Sequence, residues 1–196
     1  MSYRFDIFIS YVRAPSMGPW MHNHFRPKLE ARLNDYANPP VKVFCDVNMA
    51  DGVNLTEELK NNIRDSALLV SVWSASYFRS NYCIAEWQSF RKRDEMLGMF
   101  GANNPLSLIY PVRYAGEVKD FHPDAKGPLL KKDFSELNYP EPVFSQSVDY
   151  LKFDRLVTEI AKDLVARLPN LPPWDERFPI VEPPPLPEAH MSRPPL

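Results

Sequence analysis

Residues that usually mark metal sites, disulfide frameworks and phosphate-binding loops are scarce in this sequence. The chain of 196 residues has 2 cysteines and 6 glycines. Cys45 and Cys83 lie far apart and form no Cys-x-x-Cys pair, so we expect neither structural zinc nor a disulfide framework. The glycines spell neither Gly-x-Gly-x-x-Gly nor Gly-x-x-x-x-Gly-Lys, which argues against a dinucleotide-binding dehydrogenase and a P-loop nucleotide hydrolase.

Strong charge of one sign and long apolar runs are also missing. The formal net charge is −2 with Lys and Arg scattered, so the basic surface typical of nucleic-acid-binding proteins is absent. The longest uncharged stretch, residues 96–112, is interrupted by glycine and proline and cannot span a bilayer. The sequence begins Met-Ser-Tyr-Arg-Phe-Asp, without the apolar region of a signal peptide. We therefore expect a reduced, cytoplasmic protein that binds neither nucleic acid nor a membrane.

Proline is concentrated at the end of the sequence. Of the 21 prolines, 10 lie between Pro169 and Pro195. We therefore divide the chain into a globular domain, residues 1–168, and a Pro-rich linker or tail, residues 169–196. The tail is either an extended linker to a further domain, an arm laid on a surface, or a ligand for a partner. Because proline denies backbone donors to helices and sheets, we expect the tail to be dispensable for folding.

Short β-rich runs alternate with helical patterns in the domain, which predicts an α/β fold with a central parallel sheet and helices on both faces. Four strands are predicted at residues 5–10, 41–45, 67–73 and 106–112, and a fifth at 129–134. Apolar residues at helical spacing mark the helices: Met21 to Leu33, Leu55 to Ile63, Cys83 to Phe90, and Phe153 to Leu168. Pro27 lies inside the first pattern, which predicts a kink or a helix that begins after Met21.

Polar side chains follow the first three strands, and parallel sheets bind ligands at the carboxyl ends of their strands. The first strand ends in Ser10, Tyr11 and Arg13, the second in Asp46 and a polar loop over 47–54 that contains Asp51, and the third in Ser74 and Tyr77. These ends converge on one edge of the predicted sheet. Hydroxyls, tyrosines, an arginine and carboxylates suit a ligand with sugar hydroxyls, a phosphate and a flat ring.

The third strand is followed by a functional or polar residue at every third position: Ser74, Tyr77, Ser80, Cys83 and Glu86. Together with Phe5-Asp6-Ile7-Phe8-Ile9-Ser10-Tyr11 and with Val43-Phe44-Cys45-Asp46 before a glycine loop, this pattern resembles the Toll/interleukin-1 receptor (TIR) domain. It is most similar to the prokaryotic, NAD+-consuming branch of that family. The motifs cover about residues 3 to 100, and only the architecture extends the resemblance to residue 168.

The resemblance implies a flavodoxin-like, five-stranded sheet in the order 2-1-3-4-5 and a loop, 47–54, that mediates assembly and gates the site. It also implies that Glu86 is the catalytic carboxylate of an NAD+ glycohydrolase. The chain departs from the family pattern at two positions. Many members have an arginine directly after the Ser-Tyr that ends the first strand, whereas this chain has Val12 there and the arginine one position later, at Arg13. Met49 stands where a basic residue is common in some relatives. The predicted NAD+-binding residues are Ser10, Tyr11, Arg13, Asp46, Asp51, Ser74, Tyr77, Tyr82 and Cys83. No metal is predicted, and NAD+ enters as substrate, with no further cofactor.

The function predicted in this way is cleavage of NAD+ to nicotinamide and ADP-ribose or a cyclic product, as an effector of prokaryotic immunity that works through TIR–TIR contacts. The alternative is a non-catalytic adaptor that signals by TIR–TIR assembly, and a remote third is a nucleoside-processing enzyme. Simpler explanations remain open for single residues. A glutamate such as Glu86 is favoured by the helix dipole when it lies in the first turn of a helix, and an aspartate such as Asp46 is common in turns. Tyr11 and Tyr82 are alternatively packing residues, and Cys83 is a small buried residue rather than a nucleophile.

Overall fold

A parallel sheet of four strands forms the centre of the computed structural model, which describes residues 2–45, 57–99, 107–125 and 132–184. The strands are β1 (Phe5–Ser10), β2 (Val43–Cys45), β3 (Ser66–Trp73) and β4 (Ile109–Arg113). Their order is β2-β1-β3-β4, and all neighbours are parallel. The four strands predicted from β-rich runs are thus confirmed, and β1 has its predicted bounds.

Helices cover both faces of the sheet, as predicted. They are α1 (Met17–Trp20), α2 (Arg26–Tyr36), α3 (Glu57–Arg64), α4 (Asn81–Met96) and α5 (Asp149–Arg167). Successive side chains of a strand point to opposite faces, so Ile7 and Ile9 join the core under α1, α2 and α5, whereas Phe8 joins the core under α3 and α4. None of the helices within the described ranges is both long and apolar enough to cross a membrane.

The first helical pattern is continuous through Pro27, because a wider turn precedes the proline. Residues Met21–Phe25 form a π-helical turn between α1 and α2, and Pro27 occupies the beginning of α2. A proline lacks the N–H that an α-helix would bond to the carbonyl four residues earlier, and a change to π-helical bonding just before it accommodates that missing donor. The apolar residues Met21, Phe25 and Leu29 are completely buried as a result.

The predicted fifth strand is reduced to a single bridge in the part of the chain that is described. Asp133 pairs with Arg113 in parallel at the free edge of β4, the place expected for strand 5, while residues 126–131 lie outside the described ranges. Two backbone hydrogen bonds form the bridge, from Arg113 N–H to the Lys132 carbonyl at 2.9 Å and from Phe134 N–H to the Arg113 carbonyl at 2.8 Å. The Ser135 N–H then bonds to Asp133 Oδ1 at 2.9 Å, which turns the chain away from the sheet.

Residues 171–184, here named the C-terminal arm, lie against the domain. Phe178 is 2% exposed and completes the core beside α4. Its ring covers one face of the Arg93 guanidinium at 4.3 Å, and Phe90 covers the other at 4.4 Å. Four hydrogen bonds attach the arm to the domain: from Tyr3 Oη to the Pro172 carbonyl at 3.0 Å, from Trp174 Nε1 to Asp65 Oδ1 at 3.1 Å, from Val181 N–H to Ser89 Oγ at 2.8 Å, and from Lys60 Nζ to Glu182 Oε1 at 2.6 Å.

This packing argues against the expected dispensability of the tail. The proline content does exclude helix and strand, and the arm indeed has neither beyond residue 170. Its contacts instead use isolated side chains, Trp174 and Phe178, which dock without any regular backbone pairing. The boundary near Leu168 stays a prediction, but the arm described here is laid on the domain surface rather than extended as a linker.

Candidate functional site

Two serines of the third-position pattern accept backbone hydrogen bonds where helical turns begin. Ser74 Oγ accepts a hydrogen bond from the Tyr77 N–H at 3.1 Å and so begins the short 3₁₀ turn Tyr77–Arg79. Ser80 is the N-cap of α4, and its Oγ accepts from the Cys83 N–H at 3.4 Å. The spacing of three therefore has a structural cause for these residues, and it sets the direction in which α4 leaves the edge of the sheet. Ser74, predicted to bind NAD+, is buried.

Glu86 lies in the second turn of α4, with its side chain 8% exposed. The helix begins at Asn81, and no acidic residue occupies its first turn. The explanation of Glu86 by the dipole of a first helical turn is therefore wrong, because this effect fades within that turn. A carboxylate buried to this degree needs hydrogen-bond donors, and the site supplies them.

Hydroxyl groups from two other elements form a line of hydrogen bonds that ends at the Glu86 carboxylate. Ser10, the last residue of β1, donates from Oγ to Glu86 Oε2 at 2.5 Å. Tyr77, from the turn after β3, places its Oη 3.0 Å from the same Ser10 oxygen. Tyr77 and Glu86 follow Ser10 by 67 and 76 positions in the sequence. The three residues come together because β1 and β3 are neighbours that end at the same edge of the sheet. The structure thus brings Ser10, Tyr77 and Glu86 into one buried group.

Cys83 belongs to the same group but is not a nucleophile. Its side chain is buried one turn before Glu86 on α4. Burial, and then the negative charge of Glu86, raise the pKa of the Cys83 thiol far above its usual range. The thiol consequently stays protonated and unreactive, in agreement with the interpretation of Cys83 as a small buried residue.

The remaining predicted residues in the described ranges differ in how they lie relative to this group. Tyr11 alternates with Ser10 and so points to the other face of the sheet, where it is buried beside α2. Arg13 and Tyr82 are half-buried, so part of each side chain can reach a ligand. Asp46, Asp51 and the loop 47–54 lie outside the described residues, and the gating role of that loop stays a prediction.

Two basic residues beside Tyr11 were not part of the predicted site. His22 is exposed, and its Nε2 lies 3.4 Å from Tyr11 Oη. Arg26 forms an ion pair with Glu30 at 2.8 Å, and that contact is the main cause that raises the pKa of Arg26, with smaller contributions from Tyr11 and Cys45. The spacing of four between the two residues on a helix that follows β1 is the signal that could have indicated them.

Chemically, the group offers a carboxylate that is fixed in place and able to stabilise a nearby positive charge. Within the described ranges, no cluster of His, Cys, Asp and Glu residues could hold a metal ion. Glu86 retains some exposure at the carboxyl edge of the sheet, where the half-buried Arg13 and Tyr82 can contribute to ligand contacts. Stabilising a developing cation is an electrostatic task that one oriented carboxylate can perform.

Comparison with known proteins identifies the family. No curated protein matches the chain significantly. Among solved structures, the chain is similar to the TIR domains of the activated Roq1 resistosome that directly recognizes the pathogen effector XopQ, with 21% sequence identity and a TM-score of 0.40 over 81% of this chain and 84% of that chain. The family model of the TIR domain matches residues 7–147, well over half of the sequence. The chain therefore belongs to the TIR domain family.

Proposed function

We propose that this TIR domain is an NAD+ glycohydrolase in which Glu86 is the catalytic carboxylate. The observation that carries the proposal is the buried Glu86 carboxylate, held by the Ser10 hydroxyl at the edge where β1 and β3 end. Burying an ionised group is costly, and a helix surface offers many exposed positions where a glutamate needs no such support. A buried and oriented carboxylate beside a ligand-binding edge is accordingly a feature of an active site.

The chemistry requires few groups from the protein. Nicotinamide leaves the pyridinium of NAD+ as a neutral molecule, so no general acid has to protonate it. As the bond from the anomeric carbon to the ring nitrogen breaks, positive charge develops on the ribose, and the Glu86 carboxylate stabilises it and positions the ribose hydroxyls. Water then attacks to give ADP-ribose and a proton, or an atom of the same nucleotide attacks to give a cyclic product.

Other predicted residues would hold the substrate around that carboxylate. In this proposal Tyr11, Arg13 and Tyr82 contact or flank the nucleotide, with Asp46 and Asp51 contributing from the loop after β2. The half-buried Arg13 is the group suited to a diphosphate, because a guanidinium binds phosphate oxygens through two N–H donors. NAD+ is the substrate, and the proposal assigns no metal or additional cofactor.

Replacing Glu86 with glutamine tests the proposal directly. Glu86→Gln keeps the shape of the side chain and removes its charge, so we expect NAD+ cleavage to fall about a hundredfold or more, the scale for one group that stabilises a transition state. The measurement is nicotinamide release by the purified chain. The control is Glu95→Gln, an exposed carboxylate on the same helix about 13 Å further along its axis, which should retain parent activity. Parent activity in folded Glu86→Gln would refute the catalytic role.

A non-catalytic adaptor is the second candidate, and one observation favours it. Four large apolar side chains in the first turn of α5 and in the ten residues before it are exposed: Tyr139, Val143, Val148 and Leu151. Exposed apolar groups of this kind are typical of protein contacts. An enzyme activated by TIR–TIR assembly would show specific activity that rises with protein concentration, because the competent state is a minority in the monomer. An adaptor would release no nicotinamide at any concentration in a hundredfold dilution series.

The biological setting follows the proposed chemistry. An NAD+ glycohydrolase that is active only when assembled suits an immune effector of the cytoplasm, where its substrate is plentiful, and the Pro-rich segment would connect it to a further domain or partner. We place the protein in prokaryotic defence on this basis. The setting depends on the activity, so the nicotinamide assay described above tests it first.

A further inference from the structure

We propose that Tyr77 is a positioning residue that holds Glu86 in its working orientation through the hydroxyl of Ser10. This inference rests on the proposed function, because it assigns a supporting role to a residue behind the catalytic carboxylate. It also replaces the expectation that Tyr77 contacts NAD+. The Tyr77 side chain is 0% exposed, so it has no surface to offer a ligand in this structure.

The direction of the hydrogen bonds follows from the chemistry of the three groups. An ionised carboxylate can only accept hydrogen bonds, so the single hydroxyl proton of Ser10 is donated to Glu86 Oε2. The Ser10 oxygen must then accept from its other neighbour, and Tyr77 Oη, 3.0 Å away, is the donor. The result is a series of two hydrogen bonds that run in one direction, from Tyr77 to Ser10 and from Ser10 to Glu86. Each bond polarises the next, and the carboxylate benefits from both.

Tyr77 is well fixed for such a role. Its N–H bonds to Ser74 Oγ at 3.1 Å, and its ring packs edge-on against Phe78 with 5.2 Å between the centroids. Burial is the main cause that raises the pKa of the Tyr77 phenol well above its usual range, followed by electrostatic interactions with Cys83 and with Glu86. The phenol therefore keeps its proton at every pH at which enzymes commonly work, and it remains a donor.

Ser10 is fixed equally well from the other side. It is the last residue of β1 and lies in register with Ser71 of β3, so the sheet determines the position of its Cα. Without Tyr77, the remaining freedom of Ser10 is rotation of its side chain, and the bond from Tyr77 opposes that rotation. A small displacement of a catalytic group is costly, because catalysis depends on geometry at the reacting atom. The buried hydroxyls of Ser10 and Tyr77 thus determine where the carboxylate oxygen of Glu86 lies.

The kinetic test uses the complete chain and three variants. Tyr77→Phe removes only the hydroxyl, and we expect kcat for NAD+ cleavage to fall about tenfold while KM stays within about twofold. Ser10→Ala removes the link itself. Since Tyr77 acts only through Ser10, the double variant should be no slower than Ser10→Ala alone. A rise in KM with unchanged kcat, or additive losses in the double variant, would overturn the proposal.

The matched control is Tyr110→Phe. Tyr110 is another buried tyrosine whose hydroxyl bonds to a carboxylate, Asp163 Oδ2 at 2.8 Å, but its partner lies on α5 at the other face of the sheet. A general loss of stability would affect Tyr77→Phe and Tyr110→Phe alike. The proposal requires parent kcat in Tyr110→Phe, and an equal fall in both variants would contradict it.

A second measurement does not depend on activity. The ¹³C chemical shift of the Glu86 carboxyl, assigned by its loss in Glu86→Gln, is followed against pH in the parent and in Tyr77→Phe. A weaker hydrogen bond to the charged form raises the pKa of an acid, so the midpoint should move upward by about one pH unit in Tyr77→Phe and should stay in place in Tyr110→Phe. The titratable groups that interact with Glu86 include the Tyr77 phenol, from the turn after β3, and the Cys83 thiol, from α4 itself; burial keeps both protonated in this range.

The two measurements separate the two proposals. If the parent chain releases no nicotinamide, the proposed function fails, and the carboxyl titration still decides whether Tyr77 acts on Glu86. If the parent is active but the midpoint is the same in parent and Tyr77→Phe, the positioning role is wrong and the proposed function stands.

Discussion

Glu86 and Arg93 are two of the three buried charged residues on α4, seven residues apart, and they are held in different ways. Glu86 keeps 8% of its surface exposed and accepts a hydrogen bond from the Ser10 side chain. Arg93 is 0% exposed and donates to backbone carbonyls, to Ser66 at 2.6 Å and to Ile63 at 3.0 Å. A charge at an active site has to remain accessible to substrate, and a structural charge does not.

The partners of the two charges also come from different parts of the chain. The Ser10 hydroxyl that donates to Glu86 belongs to β1, a strand of the central sheet. The guanidinium of Arg93 is covered by the C-terminal arm, because Phe178 lies over one of its faces. Burial lowers the pKa of Arg93 to about 10, so the group is still charged at neutral pH and its enclosure is costly unless its donors are bonded. The comparison indicates that the arm seals the Arg93 end of α4, whereas the proposed function belongs to the Glu86 end.

Removing the arm is expected to have the largest effect on stability. Ending the chain after Leu168 exposes the surface that Phe178 covers and removes the hydrogen bonds between the arm and the domain. We expect the free energy of unfolding to fall by about 4 kcal/mol, the scale for loss of a buried phenylalanine and these hydrogen bonds, reduced by the entropy that the arm regains. Urea denaturation measures the loss. A chain that ends at Pro184 keeps every arm contact described here and is the control; equal stability of the two truncated chains would contradict the sealing role.

The arm is also the part of the chain about which the sequence was least informative. Apolar periodicity was sufficient for four strands and the main helices, because burial on both faces of a parallel sheet leaves continuous apolar runs. In the arm, only isolated residues such as Phe178 are apolar, and no periodicity indicates that one of them docks. Its binding place depends on Arg93, which lies on a helix far away in sequence. A contact between residues 85 positions apart is determined by the tertiary fold alone.

The candidate site was predicted in outline but not in its internal arrangement. The carboxyl ends of the strands correctly indicated that Ser10 and Tyr77 converge, whereas Glu86, which the structure places beside them, was indicated by the resemblance to TIR domains. The sequence could not tell that Tyr77 lies behind the carboxylate, because burial of a tyrosine depends on packing by elements distant in sequence. It also left the dipole of a first helical turn as an explanation for Glu86, since the bounds of a helix are poorly defined by its sequence.

Arg93→Met is expected to have the next largest effect. Methionine fills most of the space between Phe90 and Phe178, but the carbonyls of Ser66 and Ile63 lose their donors. A buried acceptor without a partner costs about 1–3 kcal/mol, so we expect the free energy of unfolding to fall by about 3 kcal/mol. Nicotinamide release per folded molecule should be unchanged. Lys92→Met, at an exposed neighbour, controls for removal of a positive charge and should stay within about 0.5 kcal/mol of the parent. A loss of activity beyond the loss of folded protein would show that the Arg93 end of α4 also serves function.

The smallest expected change is the effect of Glu86→Gln on stability, and it completes the comparison. Glutamine preserves the volume of the side chain and an oxygen that accepts from the Ser10 hydroxyl. The hydrogen bond becomes weaker when the acceptor loses its charge, but a neutral amide is also less costly to bury than a carboxylate. Because Glu86 lies beyond the first turn of α4, no interaction with the helix dipole is lost. We therefore expect a change within about 1 kcal/mol in urea denaturation at pH 7, against about 3 kcal/mol for Arg93→Met. If Glu86→Gln were as damaging to stability as Arg93→Met, both charges would be structural, and the difference between the two ends of α4 would not exist.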